Sequence, residues 1–457
     1  MVEPSFDLNI GALAPVADEV TVTSLDVTGQ LPPELNGTLV RNGPNPFSGV
    51  AVGEDMLAWW VGPSMVHGIA VTEGDASWYR NRWVNTGHRR RYDKPALAAD
   101  RMLDHNPNVN VIAHGGNLLA LGEGGLPFVL NEQLDTVGPT TFGGALVHQG
   151  TPTGMMAHPK IDQSTGELMF FRADWAPPFL RYGVLDRDGN HVVDQIIDLP
   201  APGMMHDCAI TKSHTIFLDL NVGLDLAMLE HGAPLPIRWF DDTTTRIGIV
   251  PRHGGEPRWC DIDPCFIQHI VNAYDADDQT MVLDVVRYPH FLRFDQLKVA
   301  YERNPLGVLW RYTITHHQGS GHMRIDEHQL DDRFVELPRV DDRLVGHQHQ
   351  FAYAIEQPTD REMRGIVKYD LVDNTQQRHF VPPGDNNSEP VFVPRQLDAK
   401  SGAEDDGWIL TCVHRGSSDT TDVLVLDAGD IAAPPVATIH LPRRIPAGFH
   451  GAWITSS

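Results

Sequence analysis

Four histidines share one kind of setting. His158 stands in GMMAHPKID ahead of the strand-like run Glu167–Phe171, and His206 follows a Pro/Gly turn in APGMMHD ahead of a run that opens at Thr215. His269 lies in CFIQHIVNAYD, and His450 in AGFHGAWI. An imidazole held at the mouth of a strand rides on rigid backbone and can be aimed at a fixed point. Four neutral imidazoles retain the full charge of a divalent metal and suit zinc, copper, iron or nickel. Catalytic zinc usually keeps three protein ligands and a water. A redox metal needs open positions for O2. Residue types alone do not separate these cases.

Other histidines compete, since the chain has 23. His214, His253, His290 and His379 read as ordinary surface or core side chains. His316, His317 and His322 lie in HHQGSGH, which reads as a solvated hairpin loop. His347 and His349, two apart, would share one face of a strand, but they offer two ligands where a closed site wants more. The unequal gaps within the quartet carry no signature of their own. A fold that brings strand ends to one axis would collect them, and a propeller does this.

The elements around the histidines read as short strands divided by turns. Turn signals stand at Thr72-Glu-Gly-Asp, His114-Gly-Gly-Asn, Asp162-Gln-Ser-Thr-Gly, Asp186-Arg-Asp-Gly-Asn and Asp427-Ala-Gly-Asp, where Gly, Asn and Asp supply positive φ. Helical periodicity is scarce; Ala96–Leu103 and Phe294–Arg303 are the short helix candidates. Regular strand–turn spacing predicts an all-β propeller or large sandwich, with no repeat signature from which to count blades. Residues 1–35 read as an extended lead-in. Pro382–Asn387 is too short to act as a linker between domains, so 1–457 reads as a single domain.

The chain has 457 residues with 41% hydrophobic composition, enough for a sizeable core, and 35 Lys and Arg against 60 Asp and Glu, a formal charge of −25. That balance argues against nucleic acid and favours a neutral substrate. Cys208, Cys260, Cys265 and Cys412 form no CxxC pair and read as buried free thiols in a reducing compartment. No basic and apolar leader opens the sequence, and no apolar run approaches the length of a membrane span. The expectation is a cytoplasmic protein.

The local motifs carry a resemblance. AHPK around His158, MHD around His206, HIVNAYD around His269 and FHGAW around His450 resemble the ligand motifs of the carotenoid cleavage oxygenase family. So do NGTLVRNGPNP (Asn36–Pro46), NLLALGEGGLP (Asn117–Pro127), VELPRVDDR (Val335–Arg343) and SEPVFVPR (Ser388–Arg395), in the family's order along nearly the whole chain. The resemblance implies a seven-bladed β-propeller with a cap of loops and short helices over its metal-bearing face. It implies non-haem Fe(II) on His158, His206, His269 and His450, with Glu123, Glu336 and Glu389 hydrogen-bonded to three of them. A carboxylate on the second ring nitrogen fixes the tautomer of a ligating imidazole and strengthens it. Glu123, between Leu118–Leu121 and Gly124-Gly125, is expected to be buried and paired.

The implied reaction is cleavage by O2 of a C=C bond in an elongated apolar alkene, an apocarotenoid-like polyene, to two carbonyl products with no organic cofactor. The same chemistry on a stilbene or phenylpropenoid, giving an aromatic aldehyde, is the alternative. An isomerohydrolase, a metal-free binding propeller and a zinc hydrolase are more distant ones. The chain departs from the family pattern at Trp59–His67, where a Gly-Asp-Gly turn is common, and at Gln268, where Phe is common. Gly122 replaces the lysine typical of the stilbene-cleaving branch, and that branch's tyrosine has no match in Asn85–Arg91, with Tyr92 nearby. Trp60, Trp175 and Phe179 are candidates for the substrate cavity, and Arg89–Arg101 and Trp175–Leu180 for weak membrane-surface contact.

Overall fold

A computed structural model describes residues 10–46, 59–87, 89, 106–230, 236–291, 294, 295, 298–301, 305–316, 323–359, 362–396 and 403–455. The turns form where the sequence places them. Glu73 and Gly74, at φ 51° and 82°, join Ser64–Thr72 to Asp75–Trp83, and Gly115 and Gly116, at 57° and 72°, join Asn110–His114 to Asn117–Leu121. Paired positive φ values match the right-handed twist of the flanking strands. Asp162 and Asp186 close their turns by side chain, Asp162 accepting from Ser164 N at 2.8 Å and Asp186 from Asn190 N at 2.8 Å.

The chain is nearly all β. Its helical pieces are short, such as Gly11–Leu13, Phe142–Gly144, Ala227–Glu230 and Asp342–Leu344. Among the described residues no helix is long and apolar enough to cross a membrane. The helix candidate Ala96–Leu103 lies outside the described residues. Phe294–Arg303 is not a helix where it is described: Phe294–Asp295 pairs antiparallel with Lys298–Tyr301. A stretch of that length shows too few turns for periodicity to decide, and hairpin pairing prevails.

The strands fall into two compact units. The first comprises Met1–Thr140, Ala227–Leu235 and Arg378–Ser457. One of its sheets runs Thr21–Thr23, Asp75–Trp83, Ser64–Thr72, Gly37–Pro44, Gly451–Thr455, so the C-terminal strand pairs with an N-terminal one. Asn110–His114, Asn117–Leu121, Phe128–Leu130 and Thr136–Pro139 make a second. Asp26–Gly29, Ala437–His440, Thr420–Asp427 and Gly407–Arg415 make a third, with Val391–Pro394 also paired to Gly407–Arg415. The lead-in thus supplies two edge strands. Leu35, Leu39, Tyr79, Leu410 and Val425 are among the side chains that fill the core of this unit.

The second unit comprises Thr141–Leu226 and Pro236–Gln377. Lys160–Asp162, Glu167–Ala173, Leu180–Leu185 and His191–Ile197 form one antiparallel sheet; Cys208–Ile210, His214–Asp219, Thr245–Pro251 and Arg258–Ile262 form the next. A seven-stranded sheet follows, from Phe266–Asp275 through Thr280–Tyr288, Val308–His316, Met323–Arg339, Phe351–Glu356 and Ile366–Asp370 to Thr375–His379. The long strand Met323–Arg339 pairs with Val308–His316 near its start and with Phe351–Glu356 near its end, so two four-stranded arrays share it. Among the described residues, the first unit holds three arrays of four or more strands and the second four. Met169, Phe171, Tyr182, Phe217 and Val250 are core side chains here, with Phe171 and Tyr182 packed edge-on against Phe217. The Tyr182 hydroxyl donates to the Arg252 carbonyl at 2.6 Å, which is how a buried phenol is accommodated.

Candidate metal centre

Three of the four singled-out histidines come together in the second unit. His158 lies on irregular chain just before Lys160–Asp162, and His206 just before Cys208–Ile210. His269 sits inside Phe266–Asp275, where the register with Thr280–Tyr288 slips between Ile267 and Ile270 and again by Asn272. Such a bulge re-aims a side chain that regular alternation would fix. His158 and His269 are buried and His206 is half-buried. The candidate ligand nitrogens of the three lie within 4.8 Å of one another. Ring centroids are 4.4 Å apart for His158 and His206, 5.3 Å for His158 and His269, and 5.2 Å for His206 and His269.

The donor set fits a transition metal. Nε2 of His206 and Nε2 of His269 are 3.3 Å apart, the separation of two nitrogens each about 2.1 Å from one ion, given ordinary metal–imidazole bond lengths. Behind His269, Nδ1 is 2.6 Å from Glu336 Oε2, and Glu336 is 4% exposed. Glu336 also accepts from its neighbour's amide, Leu337 N, and from the Tyr288 hydroxyl at 2.5 Å. Leu337 has φ 49° and stands at a register shift, so here too an irregularity in a strand aims the functional side chain. Burial opposes the charge of Glu336, but His269, Tyr288 and the Leu337 amide outweigh it and hold the carboxyl below its ordinary value. Burial, then Glu336, pushes the Tyr288 hydroxyl well up, so it stays a donor.

His450 belongs to the first unit. It directly precedes Gly451–Thr455, and its backbone is fixed by His450 N to Val109 O at 3.1 Å and Asn42 N to His450 O at 2.9 Å. This close packing needs glycine: a Cβ on Gly43 would lie 2.4 Å from Gly448 Cα. His450 Nδ1 is 2.8 Å from Glu389 Oε1, and Gly451 N donates to Glu389 Oε2 at 2.9 Å. Both side chains are buried. Trp59 packs edge-on against Phe449 at 5.2 Å.

Other expectations need correction. Glu123 is exposed, not buried: the chain turns out of Asn117–Leu121 there, with Gly124 at φ 74°, so apolar flanks did not set its direction. Cys260 is half-buried on Arg258–Ile262, while Cys208, Cys265 and Cys412 are buried and all four are free. Burial pushes the thiols of Cys208 and Cys265 up to about 12 and about 11, which disfavours thiolate ligation. His347 and His349 are not on a strand but on irregular chain after Asp342–Leu344, with Gly346 at φ 84°. His347 lies 3.2 Å from Asp162, and His349 Nδ1 is 3.2 Å from Asn272. His316 ends its strand; residues 317–322 lie outside the described residues. His214, His253 and His379 contact Ser213, Glu167 and the Ile431 carbonyl, and His290 contacts the Phe291 carbonyl.

Trp60 is half-buried, Trp175 is 39% exposed, and Phe179 packs partly buried against the Phe171 core. Trp175–Leu180 therefore exposes one large apolar side chain rather than a patch, and Tyr92 and most of Arg89–Arg101 lie outside the described residues. Sequence reasoning missed Tyr288, which nothing local marks, and Asp207 and Lys160, which stand inside the MHD and AHPK motifs.

The profile of the family described as retinal pigment epithelial membrane protein matches residues 13–455. A carotenoid cleavage oxygenase of Mycobacterium tuberculosis is 33% identical over 97% of this chain and 96% of its own. A cobalt-substituted Synechocystis apocarotenoid oxygenase superposes with a TM-score of 0.85 at 26% identity, over 97% of each chain. A lignostilbene dioxygenase of Pseudomonas brassicacearum gives 0.86 at 26% identity, over 99% of each. With its all-β arrays and its buried histidine cluster, this chain belongs to the carotenoid cleavage oxygenase family and is an oxygenase of that family.

Proposed function

We propose that His158, His206, His269 and His450 together hold one Fe(II), and that the protein cleaves a C=C bond of an elongated apolar alkene with O2 to give two carbonyl products. The observation that carries this reading is the convergence of three imidazoles with a carboxylate behind His269, a His–Glu arrangement that His450 and Glu389 repeat. Bound there, iron supplies the redox chemistry that lets O2 react with an unactivated alkene. The protein's own contribution is orientation. Glu336 and Glu389 hold the Nδ1 proton of His269 and His450, which leaves each Nε2 lone pair for a metal, and their charges offset that of the ion. No side chain of the site is needed as an acid or base. Glu123 is the third carboxylate of the proposal, with a smaller share because it is exposed.

The preferred substrate is an apocarotenoid-like polyene. Gly122 supports this choice: a Cβ there would lie 2.0 Å from Asn106 O, so the lysine that marks the stilbene-cleaving branch has no room. Trp60 and Trp175 remain candidate substrate contacts. The likeness to a lignostilbene dioxygenase supports a second reading, cleavage of a stilbene or phenylpropenoid to an aromatic aldehyde. Free thiols support a reducing, cytoplasmic setting.

The test is anaerobic loading with Fe(II), then O2 uptake with one apocarotenoid, one hydroxystilbene and one phenylpropenoid, with aldehydes read by mass. Aldehyde from the apocarotenoid, lost in His206→Ala, supports the first reading. Aldehyde only from an aromatic substrate moves the assignment to the second. Zinc binding with no oxygen consumed overturns both.

A further inference from the structure

We infer that Asp207 is a positioning residue that braces the three clustered histidines with one buried carboxylate, through backbone amides beside His206 and His269 and through the Lys160 side chain beside His158. Asp207 follows His206 and is 2% exposed. Its Oδ1 accepts from Cys208 N at 2.7 Å and lies 2.7 Å from Lys160 Nζ. Its Oδ2 accepts from Ile270 N at 2.9 Å. Lys160 stands two residues after His158, and Ile270 directly after His269. The contacts of this one side chain thus fall within two residues of each histidine.

The placement has a physical purpose. His158 and His206 lie on irregular chain and His269 on a bulge, so none is held by an unbroken ladder of strand hydrogen bonds. A metal site tolerates about half an ångström of error in its ligands. A carboxylate that ties two of the backbones to one point, and the third segment through the Lys160 side chain, supplies the missing rigidity. Lys160 balances its charge, as a buried carboxylate requires. The Ile270 amide meets Asp207 at the register shift, which couples the bulge that aims His269 to the turn that carries His206.

This inference rests on the histidines being metal ligands, and its test separates the two claims. Apoprotein is titrated with Co(II), following the visible ligand-field band, and its melting temperature is measured without metal. Asp207→Asn keeps the size of the side chain but offers one acceptor oxygen in place of two. It is expected to weaken Co(II) binding by about 10- to 100-fold, the usual effect of losing a residue that orients ligands, and to shift the band. Lys160→Arg keeps the ion pair and is expected to retain wild-type affinity and spectrum. Should Asp207→Asn not fold, Lys160→Met reads the brace from the His158 side, with weaker binding and a shifted band expected. A variant that melts lower yet binds Co(II) with wild-type affinity and spectrum shows a structural ion pair only and overturns the inference. Wild-type Co(II) binding that survives His206→Ala overturns the metal reading beneath it.

Discussion

His269 and His450 are braced alike at the ring and differently behind it. Each presents Nδ1 to a buried glutamate. Glu389 returns its second oxygen to Gly451 N, the residue after His450 itself, so that brace closes on its own backbone. Glu336 instead takes the hydroxyl of Tyr288, from the strand Thr280–Tyr288 two places away in the sheet, and the amide of Leu337 at a strained φ. The first device joins Glu389 to two adjacent residues, His450 and Gly451. The second also draws on packing across a sheet.

Removing an imidazole should erase the difference. His269→Ala and His450→Ala are each expected to lower turnover at least 100-fold, about 2.7 kcal/mol or more of transition-state stabilisation, with folding judged by circular dichroism. Replacing the carboxylates should cost less: Glu336→Gln and Glu389→Gln are expected to weaken metal binding by about 10- to 100-fold, measured by competition with a chelator. Equal binding by wild type and both variants would remove the carboxylates from the account. Tyr288→Phe tests the asymmetry itself. It leaves Glu336 one hydrogen bond short, a loss of about 1–3 kcal/mol in unfolding free energy. Glu123→Gln, on an exposed turn, should have the smallest effect on metal affinity.

Acid should separate two particular sites, the strand of His67 and the strand of Asp162. In the unit of His450, burial, then Arg41 and Arg443, lowers His67 to about 3. The unfolded chain binds that proton near 6.5 and the native state does not, so stability falls as pH drops from about 6.5 toward about 3, by up to about 1.4 kcal/mol per pH unit. In the other unit, burial raises the Asp162 carboxyl but hydrogen bonds from Ser164, Arg252 and His347 pull it well below the usual carboxylate range. Its contribution is present above the unfolded value of about 4 and is lost only below it. Hydrogen exchange near pH 5 should therefore show the strands Gly37–Pro44 and Ser64–Thr72 loosening before Lys160–Asp162 and Glu167–Ala173. In His67→Gln that early loosening should disappear.

How far the sequence foretold this arrangement depended on whether the cause was local. Glu73-Gly74 and Gly115-Gly116 were legible because a turn's φ values are set by the residues in it. The four histidines were legible through their flanking motifs; spacing alone said nothing, because the bulge that aims His269 depends on the partner strand Thr280–Tyr288. Glu123 was misjudged because apolar neighbours in sequence do not fix which way a side chain leaves a glycine turn. Tyr288 meets Glu336 from a different strand, and no local pattern marks it. Asp207 and Lys160 stood in plain view beside His206 and His158. The missing signal was that their opposite charges, each next to a candidate ligand, had to meet.

The most direct measurement is an anaerobic Fe(II) titration of the apoprotein, wild type against His206→Ala and His450→Ala. The account predicts one iron per chain, with affinity lost to a similar degree in both variants, since the proposal gives each imidazole an equal part. Wild-type iron affinity in His450→Ala, with affinity lost only in His206→Ala, would contradict a single four-histidine centre.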